Sequence, residues 1–253
     1  MKIIKTKILN LLNKYYSPAK VPMICDESKV FTDSFKLFKN LDLQKFDNNK
    51  KIYEEKLDLN SKNQKNKKYF PENWKTGDES LKLITLILDH IDFNAFVETG
   101  VANGISTNLI LSKINSPNKL ISFDIDEKAS KSVKNKSYLR RWQFNLLSRN
   151  FHISKKQLRK IIFHELNFRK PKVLFWYHDS DHSYKWVRFE FNLIVETLKK
   201  GLSKKLFFIC DDIDSSSAWI EIIKDIKKQS NFAYQHSVLF DSRKFLGVLI
   251  LTI

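Results

Sequence analysis

The sequence predicts an α/β fold built on a doubly wound, mostly parallel sheet, with a C-terminal antiparallel hairpin and a helical N-terminal extension. Three observations lead there. From Thr76 onward, helical segments alternate with short apolar segments of strand length, the pattern of a parallel sheet covered by helices on both faces. Four of the apolar segments end in acids, at Glu98, Asp124, Asp179 and Asp211–Asp212. Ligands in such sheets sit beyond the carboxyl ends of the strands, so these acids converge on one edge. Finally, HSVLFD and FLGVLILTI flank the short polar run DSRK, which reads as a closing hairpin.

Each element follows in order. GDESLKLITLILDHI is a helix with Asp78 or Glu79 near its start, and NAFVETG is a strand ending in glycine. ISTNLILSKI is a helix and KLISFDID the next strand. A basic helical stretch precedes KVLFWYHDSD, a strand running into the polar motif HDSDHSY. WVRFEFNLIVETLKKG is a helix that Gly201 stops, since glycine readily takes the left-handed conformation beyond a helix end. KLFFICDDID is a strand, and AWIEIIKDIKK lies in the helix before the hairpin.

Residues 1–75 form a separate extension, and 76–253 the main domain. The extension opens with apolar Ile3, Ile4, Ile8, Leu11 and Leu12 at helical spacing, with lysines on the other side. It then becomes polar and low in complexity, as a linker or cap does. Packing on the main domain or contact between protomers of a homo-oligomer is the default expectation, and a membrane surface the alternative.

The 253 residues, 42% of them hydrophobic and 13% aromatic, supply a sizeable core and exclude wholesale disorder. Two cysteines, Cys25 and Cys210, exclude a disulfide framework. The start MKIIKTKILNLL has no small-residue cleavage site, and no apolar run reaches the length of a membrane span. A soluble, cytoplasmic protein is expected. The net charge of +17 raises nucleic acid or an anionic membrane as partner. Abundant Lys, Asn, Ile and Phe with five Gly and five Pro point instead to compositional bias, and the lysines are spread along the chain.

ETGVANGIS joins a strand to a helix, and Gly100 and Gly104 permit a tight turn with close backbone approach by a ligand. It is not a full G-x-G-x-x-G, because Ala102 stands at the second glycine position, and it has no P-loop lysine. Asp124, at the next strand end, is placed to accept hydrogen bonds from a ribose diol.

VETGVANGIST, LISFDID, LFWYHDSDHSY and FFICDDID together resemble the class I S-adenosylmethionine-dependent methyltransferases, in particular the small-molecule and sugar O-methyltransferases with a D-x-D-H-S-Y motif. The resemblance spans about Gly77 to Ile253 and implies a seven-stranded Rossmann-like sheet. It implies that Glu98, Gly100 and Gly104 line the methionine end of the cofactor, with Asn103 and Ser106 near its carboxylate and Asp124 at the ribose. It also implies a divalent cation on Asp179, Asp211 and Asp212, and His182 as catalytic base beside Asp179. FNLLSRNFHISKK departs from the family's turn after the third strand, with Leu147 and Ser148 matching only loosely. His178 stands where an apolar residue is common, as a substrate contact, a support for the site or a structural residue.

Beside the resemblance stands the chemistry. Mg²⁺ takes oxygen ligands and keeps several waters, so three carboxylates would fill half a shell and leave room for an acceptor. A neutral histidine suits proton removal near pH 7. Competing readings are bland: Asp211–Asp212 as a helix cap, Asp181 as a loop brace, Tyr184, Trp186 and Cys210 as packing, His152 and His164 without a role. The expected activity is O-methyl transfer to a hydroxyl of a small molecule or sugar, with S-adenosylmethionine and Mg²⁺. The alternatives are methylation of RNA or another polyanion, made less attractive by the absence of an N-P-P-Y-type motif, and a non-catalytic binding module of the same fold.

Overall fold

The computed structural model describes residues 78–241 and 244–253; the expected N-terminal extension, with its cap and oligomer roles, lies outside them. Helix α1 spans Asp78–His90, and strand β1, Ala95–Thr99, follows it. Then come α2 (Ile105–Lys113), β2 (Leu120–Asp124), a short 3-10 turn (Glu127–Lys131), α3 (Lys136–Leu139) and β3 (Trp142–Leu146). The chain continues through α4 (Phe151–Arg169), β4 (Val173–His178), α5 (Tyr184–Lys199) and β5 (Lys205–Cys210). A second 3-10 turn (Ile213–Ser215) leads into α6 (Ala218–Lys227), β6 (Ala233–Asp241) and β7 (Lys244–Thr252).

The seven strands form one sheet in the order β3-β2-β1-β4-β5-β7-β6. β1 to β5 are parallel, and β7 runs antiparallel to both β5 and β6. The chain winds outward from β1 through β2 to β3, then crosses back to place β4 on the other side of β1. That reversal opens a crevice at the carboxyl ends of β1 and β4, where ligands bind in folds of this kind.

Strand alternation divides the core into two layers. Val97, Phe123, Trp176 and Phe208 pack beneath α4, α5 and α6, whose buried faces include Leu158, Phe191 and Trp219. Phe96, Phe175, Tyr177 and Phe207 pack on the other side against Ile84, Ile87, Leu109 and Ile110 of α1 and α2. The central strands read as continuous apolar runs because both faces are covered. β3 does not: WQFNL lies at the sheet edge and is only partly buried, which is why its polar residues concealed it in the sequence. Gly201 has φ +65 just beyond α5, as expected of the residue that stops that helix.

Candidate active site

The turn between β1 and α2 is built around two glycines that cannot be replaced without displacement. Gly100 has φ +86, and a Cβ on it would lie 1.8 Å from the carbonyl oxygen of Asp179. The backbone leaving β4 therefore crosses directly against the turn. Gly104 has φ +74 and begins α2; a Cβ there would lie 2.4 Å from Ser132 Oγ. Asn103 sits half-buried between them.

Asp124 holds this turn in place. Its Oδ2 accepts from the N–H groups of Val101 (2.8 Å) and Ala102 (3.0 Å), and its Oδ1 from Asp126 N–H (2.8 Å). A carboxylate has about four lone-pair positions, so three internal bonds leave capacity for one further donor on Oδ1. Beneath the turn, Glu98 is fully buried and accepts from Ser106 Oγ (2.7 Å), Thr107 Oγ1 (2.8 Å) and Ser122 Oγ (2.8 Å). Burial pushes its pKa up to about 7, against the opposing pull of the three hydroxyls, with a smaller upward contribution from the Asp124 charge. Glu98 and Ser106 thus lie under the turn, where they set the start of α2 without presenting surface to a ligand.

Ile125, just past β2, and Leu146, at the end of β3, are about half exposed at the carboxyl edge of the sheet. Nothing in their local sequence marks them, because only the parallel pairing of Asp124 with Leu146 makes them neighbours. In the loop that follows, Leu147 N–H donates to Asp124 O, Ser148 N–H to Gln157 Oε1, and Asn150 caps α4. These polar groups are consumed by the turn into α4.

The two histidines of HDSDHSY have different environments. His178 is fully buried at the end of β4, with Nδ1 3.1 Å from Glu190 Oε1 and 3.4 Å from Thr99 Oγ1. Glu190, also fully buried, accepts from Thr99 Oγ1 (2.9 Å), Trp176 Nε1 (2.9 Å) and Ser180 Oγ (3.3 Å). His178 therefore belongs to a buried network behind the site. Glu190, Thr99 and Trp176 are not among the candidate site residues that the sequence motifs mark. A signal did exist: Glu190 occupies the apolar stripe of α5 at helical spacing from Trp186, Val187 and Ile194, a position that an acid takes only when its bonds are supplied from the core.

His182 faces the crevice edge, a ring centroid distance of 5.4 Å from His178. Its Nε2 lies 3.8 Å from Asp179 Oδ1 and 3.6 Å from Asp212 Oδ2. Tyr177 Oη donates to Asp179 Oδ2 at 3.2 Å. Asp211 is fully buried, and its N–H donates to His178 O. Asp212 follows in the left-handed conformation at φ 47, which turns its carboxylate toward His182. Asp181 accepts from Ser183 N–H, and Ser183 caps α5. Tyr184 Oη donates to Glu221 at 2.5 Å, which raises its pKa, and Trp186 Nε1 donates to Ser180 Oγ at 2.9 Å. Of the three expected metal ligands, Asp179 and Asp212 converge, with an imidazole between them. Among the described residues no group of three or more His, Cys, Asp or Glu side chains is placed to hold a metal ion.

The site thus combines a glycine turn, an acid at the end of β2, and a histidine between two carboxylates, all at one edge of a seven-stranded sheet. Residues 97–213 match the family model described as "Methyltransferase domain". Among solved structures, the fold is similar to an O-methyltransferase from Bacillus cereus in complex with SAH, at 14% identity and a TM-score of 0.55, covering 79% of this chain and 90% of that one. It is also similar to the O-methyltransferase TomG from Streptomyces achromogenes in complex with SAM, at 11% identity and a TM-score of 0.52, covering 72% and 82%. The SAH-bound Podospora anserina methyltransferase PaMTH1 shares 10% identity at a TM-score of 0.51, covering 73% and 82%. No curated protein matches the chain. The chain thus has the fold of these methyltransferases, and its residues 97–213 carry the match to a methyltransferase-domain model.

Proposed function

We propose that the protein transfers the methyl group of S-adenosylmethionine to a hydroxyl of a small molecule or sugar, with His182 as the base. The observation that carries this reading is the position of His182 Nε2 between Asp179 and Asp212, at the sheet edge that also holds the glycine turn and Asp124. The cofactor, when bound, supplies a methyl carbon made electrophilic by the sulfonium. The remaining tasks fall to the chain. Asp124 Oδ1 accepts one ribose hydroxyl, and Gly100 lets the backbone leaving β4 pack against the turn that faces the cofactor. The N–H groups of the first turn of α2, near Asn103, have no intrahelical acceptors and suit a carboxylate. Ile125 and Leu146 offer apolar surface to the adenine.

His182 accepts the acceptor's hydroxyl proton as the oxygen attacks, and the flanking carboxylates stabilise the resulting imidazolium. Holding acceptor and methyl group in line supplies the rest of the acceleration. In a metal-assisted form of this reading, Asp179 and Asp212 would hold a divalent cation, with Asp211 behind them. Two carboxylates suit Mg²⁺, a hard ion that usually keeps waters and takes one or two such ligands. Its contribution would be to lower the pKa of a coordinated hydroxyl.

Calorimetric titration with S-adenosylmethionine, with and without Mg²⁺, tests the first step: saturable binding is expected, and its absence overturns the reading. Turnover is then read as release of S-adenosylhomocysteine across a panel of sugar, alcohol and phenol acceptors. His182→Ala should lower kcat by roughly 10²–10⁴ while leaving cofactor affinity intact; undiminished turnover would remove its role. Asp179→Asn should abolish any stimulation by Mg²⁺. Cofactor binding with no turnover on any acceptor would favour a binding module.

A further inference from the structure

A second cavity lies between the first halves of α4 and α5, with a lining that shares no residue with the site described above. His152, Lys155, Lys156 and Arg159 of α4, with Phe189 of α5, line a cavity of 370 Å³. The four basic residues recur at i, i+3, i+4 and i+7, so they form one stripe on α4. Lys155 Nζ lies 5.0 Å from the centroid of Phe151 and 4.9 Å from that of Phe189, which holds the ammonium in place without neutralising it. Arg159 is braced at one edge by Glu196 Oε1 (2.6 Å) and lies over Phe163. Among the described residues neither Lys155 nor Lys156 has a carboxylate within ion-pair distance. No acid lines the cavity.

The geometry points to a binding site here for a small ligand bearing a phosphomonoester or diphosphate. Three permanent positive charges around one cavity exceed what a single carboxylate neutralises and match the two or three charges of such phosphoryl groups. Arginine offers a planar set of donors suited to phosphate oxygens, and lysine adds point charge. The cavity lies at the small end of the range for small-molecule sites. From His152 to Arg159 the stripe rises about 10 Å, short for a nucleic-acid track. Trp186 links the two sites physically: its ring packs on Phe151 and Phe189, and its Nε1 holds Ser180 of the HDSDHSY loop. The inference stands independently of the methyl acceptor.

The test is calorimetric titration of the full chain with inorganic pyrophosphate, in wild type and in variants Lys156→Glu, Arg159→Gln and Lys160→Glu. Lys160 is exposed on the same helix but outside the lining, so its variant makes the same charge change as Lys156→Glu without touching the cavity. One saturable site is expected, weakened at least 10-fold by Lys156→Glu and by Arg159→Gln, and less than 2-fold by Lys160→Glu. Absence of saturable binding overturns the proposal, as does an equal loss for Lys156→Glu and Lys160→Glu. A 12-nucleotide RNA that binds tightly with a steep salt dependence and equal losses in all three variants would replace it with a polymer surface. Tight binding of phosphatidylserine vesicles with no affinity for pyrophosphate would replace it with a membrane surface.

Discussion

Glu98 shows what a single buried acid does to the whole fold. Its carboxyl is pushed to about 7 from an ordinary 4.5, so the folded state holds that proton more tightly than the unfolded chain does. The associated stability is fully present below about pH 4.5 and is lost as pH rises through about 7. The difference corresponds to about 3 kcal/mol. Glu98→Gln removes this titration while keeping a side chain that three rotating hydroxyls can still bond. Urea unfolding at pH 5 and pH 8 should show that the wild type loses most of this increment across the interval and the variant does not. His178 and His182 make the complementary point. They lie four residues apart in the sequence, yet one has no exposed surface and the other faces two carboxylates at the crevice edge. Both were legible as ionisable groups at a strand end. Which of them is buried depends on which side of β4 faces α5, and that is a property of the sheet.

At the scale of elements, α5 does more than cover the sheet. Glu190 on its buried face binds Thr99 of β1, Trp176 and His178 of β4, and Ser180 of the loop. One carboxylate thereby joins the two strands that flank the crevice to the loop that carries His182. Glu190→Ala leaves several buried polar groups without their acceptor, at about 1–3 kcal/mol each. A loss of at least about 3 kcal/mol is expected, equivalent to a drop of roughly 10 °C in Tm for a domain of this size. Thermal unfolding followed by circular dichroism measures it, and a loss under 1 kcal/mol would show that the network does not hold these elements together. The helices and most strands were legible because their apolar residues repeat at helical spacing or run unbroken. β3 was obscured by its half-exposed edge position, and the Glu190 network by the distances in sequence, up to 91 residues, over which its bonds reach.

For the whole molecule, the dominant global property is charge. A net charge of +17 on 253 residues destabilises a compact state through self-repulsion, and salt screens it within a Debye length of about 10 Å at 0.1 M. Raising NaCl from 20 to 200 mM should therefore raise Tm by a few degrees, read in the same thermal melts; a fall would mean that attractive pairs outweigh the excess of like charge. The described helices include none long and apolar enough to cross a membrane. On α4, the cationic stripe and the buried stripe of Leu158, Ile162 and Leu166 occupy different faces, so the same helix anchors the sheet and presents charge outward.

The amino-acid sequence by itself determined the alternation of helices and strands, the glycine turn, and the delivery of acids to one sheet edge. These are written in local composition and spacing, since a buried strand must be apolar and a tight turn needs residues free to take positive φ. Tertiary structure decided how those residues are used. It placed Glu98 and His178 inside, left His182 between Asp179 and Asp212, set exposed Ile125 beside Leu146, and gathered α4 and α5 around a basic cavity. Each of these depends on which strands pair and which helix faces meet, and such contacts join segments whose separation in the chain carries no local signal.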